Sequence, residues 1–266
     1  MKKKYTIKDI ADACGVSSAT VSYVLNDVQS QSIREETKKK ILHYANMVGY
    51  SSSSSARALA TGRTNVFGLY NPHVENSAGK HRLIRALSAE AERCGYQLRI
   101  LTDRCLQQQV TEVDAIFALD ISEEDFHRLG ENTFAPLLYL DGQIGGHLFY
   151  SISFDAAKIR RAAIDRSGCR KVALVCPEPH CEAHAAYLRD TFDQVILPGE
   201  ALSARFPEDT AVLLANEAAP VCAAHMLVLG SEALPLPFED YVKESVSLAR
   251  KTIARGELPR EHLIRI

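Results

Sequence analysis

This sequence predicts two folds in one chain: an all-α head of three short helices and, behind it, an α/β body built on parallel sheets. Three observations carry the expectation. Through the first fifty residues apolar side chains recur at helical spacing. From Thr64 onward short apolar strands alternate with helical stretches, the pattern of parallel strands covered by helices. Charge is also divided: residues 1–63 hold ten Lys/Arg against five Asp/Glu, a local +5, whereas residues 64–266 hold 21 against 28, or −7. A basic head on an acidic body points to a polyanion partner for the head alone.

The head begins with "TIKDIADACG", where Ile7, Ile10, Ala11 and Cys14 make one apolar stripe of a helix. Thr6 caps it, Asp9 occupies the capping-box position, and Gly15 ends it by taking a left-handed conformation. Ser17 caps a second helix, "SSATVSYVLN", whose stripe is Val21, Val24, Leu25 and Val28. Its other face shows Ser18, Ala19, Ser22, Tyr23 and Asn26, all short or hydrogen-bonding and none acidic. A helix, a glycine-containing turn of three to four residues and a second helix with such a face form the helix-turn-helix pattern, and the major groove of DNA admits a helix of this kind. A third helix is expected after Ser32, which with Glu35 makes a capping box; Thr37, Ile41, Ala45 and Val48 face inward and Gly49 stops it.

"YSSSSSARALATGRT" (50–64) follows, five serines and then a helix-forming "ARAL" closed by Gly62. A helix from about Ser55 to Ala60 is too short and polar to meet its own ordering entropy, so it is expected to fold only against a partner.

The body reads as strands at 65–70, 96–102, 114–119, 136–141, 171–176, 211–216 and 225–230, with "YSISF" another and "HLIRI" a last extended piece. Helices are expected in "KHRLIRALSAEAERCG", near 122–130, in "DAAKIRRAAIDRSG", near 182–192 and over 238–256.

From Thr6 to Leu69, "TIKDIADACGVSSATVSYVLN" with the later "GY", "ARALATGRTN" and "GL" resembles the lactose/galactose-repressor (LacI/GalR) family of bacterial transcription regulators. The resemblance implies a headpiece over 1–50, a hinge over 51–63, and over 64–266 an effector and dimerisation domain like the periplasmic sugar-binding proteins, two α/β lobes with a cleft between them. It implies that Ser18, Ala19 and Tyr23 read bases, and that Thr6, Ser17, Thr20, Ser22 and Asn26 hold phosphates or align the helix. It makes residues 55–60 the hinge helix, with Ala56 thinning one side for close approach of two copies, Arg57 beside phosphates and Leu59 wedged between base steps in the minor groove. The partners it implies are a near-palindromic double-stranded operator and a second copy of the chain.

The sequence departs from the family at Tyr23, where arginine or histidine is usual, and at Ser52 and Ser53, where a proline and an asparagine are usual. In the body the match is weaker. "VENSAG" keeps only Asn76 of an asparagine-proline-aromatic cluster, Leu188 stands where a pocket arginine is usual, and "SEALPLP" replaces an acidic pair. Helices are missing before "VDAIFAL" and between "LLAN" and "HMLVLG". Asn76, Asp155 and Asn216 hold family-like ligand positions. The cleft's occupant stays open among a small-molecule effector of sugar or nucleobase class, a protein, and none.

Other chemistry finds little support. Cys176, His180, Cys181 and His184 in "CPEPHCEAH" are ligand types for zinc, but they lack finger spacing and adjacent ligands aim poorly at one ion. There is no phosphate loop, G-x-G-x-x-G, H-E-x-x-H or G-x-S-x-G, so neither catalysis nor a cofactor is expected. Seven irregularly spaced cysteines suit reduced thiols in a cytosol. No run approaches the roughly 18 apolar residues of a membrane span, and "MKKKYTIKDIADA" has no secretion-signal core. The rival to a DNA-binding regulator is a small-molecule or metal-binding α/β protein with a vestigial head.

Overall fold

The computed structural model describes residues 5–25, 32–48, 63–73, 78–145, 148–201, 203–215, 223–229, 231–232 and 234–266. The expected hinge helix, and with it Ala56, Arg57 and Leu59, lies outside these residues, as do Asn26, Asn76 and Asn216. The chain divides into two compact units, Met1–Thr64 and Asn65–Ile266.

In the first unit α1 (Ile7–Cys14) is capped as its sequence predicts: the Thr6 hydroxyl accepts from the Asp9 amide at 3.2 Å, and the Asp9 carboxylate accepts from the Thr6 amide at 2.8 Å. Gly15 closes it at φ 68°, donating its amide to Ala11 and Asp12 carbonyls. α2 (Ser18–Leu25) is capped by Ser17, whose Oγ accepts from the Thr20 amide at 3.1 Å. The third helix corrects one expectation. α3 runs Glu35–Met47, its first turn closing through the Lys38 amide on the Arg34 carbonyl at 3.0 Å. Glu35 is therefore the first helical residue and cannot reach back as a Ser32 box partner; its carboxylate takes the Lys38 ammonium at 2.9 Å instead. Ile10, Ala11, Cys14, Val21, Val24, Ile41 and Ala45 form the buried core, with Ile7, Leu25 and Tyr44 packed around it. Lys40 ties α3 to α1 by donating to the Cys14 carbonyl at 3.0 Å, which places a cation at the negative end of α1.

The second unit holds two all-parallel sheets. Its elements are β1 (Val66–Tyr70), α4 (Ala78–Arg93), β2 (Gln97–Leu101), β3 (Ala115–Leu119), α5 (Glu123–Glu131), β4 (Leu137–Leu140), β5 (Tyr150–Ser153), α6 (Ala156–Ser167), β6 (Lys171–Val175), α7 (Glu182–Thr191), β7 (Gln194–Ile196), β8 (Thr210–Leu214), β9 (His225–Val228), α8 (Phe238–Ile253) and β10 (Leu263–Arg265). The sheets run β10-β5-β4-β3-β1-β2 and β7-β6-β8-β9. Central strands β1, β3, β4 and β8 are buried on both faces, which is why they read as unbroken apolar runs rather than as alternation. β7 was not anticipated, because three residues ending one helix give no readable period. Where a full helix is missing before β3, one 3-10 turn, Asp103–Leu106, makes the connection.

One face of the larger sheet packs Phe67, Leu69, Phe117, Leu119 and Leu138 against α4 and α8; the other packs Tyr70, Ile116, Ala118 and Tyr139 against α5. The chain leaves this lobe after β5, builds the second sheet, and returns through α8 to lay β10 beside β5. Two crossings thus join the lobes, and the carboxyl ends of the strands face each other across them.

Candidate functional site

In the head the structure leaves the residues of α2 that the resemblance assigns to base reading on the helix's exposed side. Val21 and Val24 are buried on one side of α2, and Ser18, Ala19 and Tyr23 stand on the other, with Tyr23 38% exposed. Ala19 and Tyr23 lie one turn apart and so share a face, as do Ser18 and Ser22. Thr20 and Ser22 are half-buried, and the Thr20 hydroxyl pairs with that of Ser17 at 2.9 Å. Thr6 is exposed, but its hydroxyl is held 2.6 Å from the Asp9 carboxylate, so it orients the first turn of α1. α2 carries no charged side chain. Exposed basic side chains flank it: Lys8 on α1, and Arg34 and Lys39 around the start of α3.

The second site is the cleft of the body, about 280 Å³ in volume. It is built by residues just beyond the carboxyl ends of strands, where open α/β sheets bind ligands. Asp120 follows β3 and Asp141 follows β4, both in the left-handed region at φ 47° and 50°, which short polar side chains tolerate best. Phe154 follows β5, Cys176 and Pro177 follow β6, and Ala215 follows β8.

Two polar clusters mark this cleft. Asp120 pairs with the Lys80 ammonium from the first turn of α4, and accepts from the His180 amide at 3.0 Å, with the His180 ring Nδ1 3.3 Å from its other oxygen. Burial works against the charged Asp120, yet Lys80 and His180 outweigh it and hold the carboxyl below its ordinary range. Deeper in, Asp141 accepts from the Tyr241 hydroxyl at 2.9 Å, and burial pushes its carboxyl up to about 6. His184, also on the cleft wall, is held below its ordinary value by burial and stays neutral near pH 7.

The first cluster also latches the lobes. His180 stacks on His73 with ring centroids 3.5 Å apart and planes within 3°. Cys181 and Gln143 exchange two bonds at 3.3 Å, and Arg265 lies over the Tyr187 ring at 3.8 Å. Cys181 and His180 are thereby engaged with the opposite lobe, and among the described residues no group of three His, Cys, Asp or Glu is arranged to hold a metal ion.

Asp155 caps α6, its Oδ1 accepting from the Lys158 amide at 3.1 Å, while its neighbours Phe154 and Ala156 line the cleft. Sequence reasoning missed Lys80, Asp120, Asp141 and Tyr241. A signal existed for two of them, since "FALD" and "LYLD" each end an apolar strand on an aspartate at the edge where such sheets bind.

The chain thus joins a helix-turn-helix head, with a charge-free exposed helix, to a two-lobed parallel α/β body with a cleft. Residues 6–53 match the family model described as bacterial regulatory proteins, lacI family. The chain is 45% identical over 71 residues to the HTH-type transcriptional regulator RegA of Clostridium saccharobutylicum, covering 27% of this chain and 21% of that protein. It is 29% identical over 158 residues to the catabolite repressor/activator of Escherichia coli K12, and 32% over 154 residues to the sucrose operon repressor of Klebsiella pneumoniae, covering 55% and 52% of this chain and 47% and 44% of those proteins. The chain thus spans less than half the length of these relatives. The fold is that of a lac repressor dimer bound to operator and the anti-inducer ONPF, with a TM-score of 0.64 at 16% identity over 99% of this chain and 96% of that one. It is also that of the Cra regulator of Pseudomonas putida in complex with fructose 1-phosphate, with a TM-score of 0.56 at 16% identity over 76% and 96%. Among the described residues no helix is long and apolar enough to cross a membrane.

Proposed function

We propose that this chain is a sequence-specific transcription regulator, acting as a repressor and binding a near-palindromic operator as a homodimer, with a small molecule in the body's cleft modulating the binding. The observation that carries the reading is the exposed, charge-free face of α2 on a buried three-helix core, matched by the family model over the same residues. One such helix covers only a half-site, which is the physical reason for two copies. Ser18, Ala19 and Tyr23 read base edges; Thr6, Ser17, Thr20, Ser22 and Asn26 align the headpiece on phosphates. Ala56, Arg57 and Leu59 form the minor-groove contact, and Asn76, Asp155 and Asn216 belong with the effector site. The protein works by binding, without catalysis, in the bacterial cytoplasm on the nucleoid.

Selection of bound sites from random duplex DNA, followed by fluorescence anisotropy on the consensus, tests this. The consensus is expected to be a two-fold repeat. Tyr23→Ala is expected to lower affinity for it about tenfold or more while leaving the salt dependence unchanged, because Tyr23 neutralises no phosphate. Leu59→Ala is expected to weaken binding and reduce DNA bending. A full chain that enriches no sequence at low salt overturns the proposal.

A further inference from the structure

The cleft's walls do not match a carbohydrate. Phe154, Ile159, Leu174, Leu188, Phe192 and Phe238 are among the residues that line it. Of its charged groups Lys80 is paired with Asp120, Asp120 also accepts from the His180 amide, and Arg82 lies over the Phe238 ring at 4.9 Å. His184 is neutral. A sugar brings a hydroxyl on nearly every carbon, and each hydroxyl buried without a partner costs on the order of tenfold or more in affinity. A sugar phosphate or nucleotide would have to draw Lys80 away from Asp120 or Arg82 off the Phe238 ring.

Among the described residues the cleft offers mainly apolar volume, with Asp141 and the neutral His184 ring as its polar groups outside Arg82 and the Lys80–Asp120 pair. A cavity of about 150 Å³ lined by aliphatic and aromatic groups holds a benzene ring; this one, at about 280 Å³, has room for a fused pair of rings. Tyr241 uses one oxygen of Asp141, and Asp141 lines the cleft, so the carboxylate keeps acceptor capacity for an occupant. We propose that the effector is a compact, uncharged, largely apolar ring compound carrying one hydrogen-bond donor, seated on the phenylalanine walls with its donor on Asp141, rather than a sugar.

This inference rests on the cleft being the effector site, and the test separates the two. Calorimetry on the full chain uses four probes: indole, the isosteric but donor-free indene, glucose and fructose 1-phosphate. Indole is expected to bind with a Kd on the order of 0.1–1 mM, indene about tenfold more weakly, and the sugars not at all. Asp141→Asn presents an amide donor to the ligand's donor, so it should weaken indole about tenfold and leave indene unchanged. Ala215→Phe, checked for fold by circular dichroism, should abolish both by filling the space. Glucose or fructose 1-phosphate binding more tightly than indole, indole failing to bind, or Asp141→Asn affecting indole and indene alike each overturn the inference. Adding indole to the protein–operator complex tests the regulatory reading separately. Indole that binds the free protein but leaves that complex unchanged sinks the cleft as an effector site while upholding its chemistry.

Discussion

Replacing Asp141 by asparagine should make the body more stable at neutral pH. Burial raises the Asp141 carboxyl from an ordinary 3.8 to about 6, with Asp120 adding to the rise and Tyr241 and Lys80 opposing it. Between about pH 4 and pH 6 the folded chain therefore holds a proton that the unfolded chain has released. Stability from this group is complete below the unfolded value and is lost as pH rises through the folded one. The shift spans roughly two pH units, and at about 1.4 kcal/mol per unit this makes about 3 kcal/mol missing at pH 7.5. Asparagine has the shape of the protonated acid, still accepts from Tyr241, and never ionises. The variant should match wild type near pH 4 and exceed it by up to about 3 kcal/mol at pH 7.5, or about 6–12 °C in Tm for a chain of this size. Calorimetric melts of both proteins from pH 4.5 to 7.5 measure it. His73 and His184, held low mainly by burial, make stability rise with pH in a neighbouring window, and Asp120, held low by Lys80, loses stability only in acid. The histidine contributions are common to both proteins and cancel in the difference, and Asp120 titrates in acid, where Asp141 is already protonated. A difference that stays flat with pH, or a variant less stable than wild type at pH 7.5, would refute the reasoning.

Gly15→Ala should cost the head about 1 kcal/mol through backbone strain alone, since Gly15 sits at φ 68° with nothing within 4 Å of an added Cβ; Gly15→Asn should cost less, and thermal melts read both. Ile41 is fully buried at the centre of the head's core, so Ile41→Ala should remove about 2–5 kcal/mol, as much as a three-helix core of this size holds. Hydrogen exchange should then show the head's amides unprotected and those of the second unit unchanged. His180→Ala removes the ring that stacks on His73 and reaches Asp120, so amides around residues 178–184 should exchange at least several-fold faster while the strands keep their protection.

How far each part was legible follows from where its information sits. The head is local: Thr6 and Asp9 are three residues apart, Gly15 ends the helix they begin, and the reading face is one helix wide, so caps and periods suffice. The misplaced Ser32 box shows the limit, because a helix start is decided by which carbonyl closes the first turn, and here that is Arg34. The sheets were legible because doubly buried strands must be apolar throughout. The cleft was not. Lys80 meets Asp120 across 40 residues, and Tyr241 meets Asp141 across 100. No spacing rule reaches that far; only the order of strands in the sheet brings these groups together.

The two units answer to different constraints. A reading helix must present an unhindered polar face to a partner of fixed geometry, so its sequence is held to short side chains on one side and valines on the other. The cleft's partner has no fixed geometry, and the scaffold asks only that strand ends turn and lobes meet. Asp120 and Asp141 satisfy the turning requirement with left-handed backbones, and His180, Cys181 and Arg265 satisfy the meeting. With those demands met, the remaining wall positions are free to become leucine and phenylalanine without harm to the fold. Indeed each such change adds buried apolar surface, at about 25 cal/mol per Å². The same packing that stabilises the lobes therefore dictates what kind of molecule could come between them.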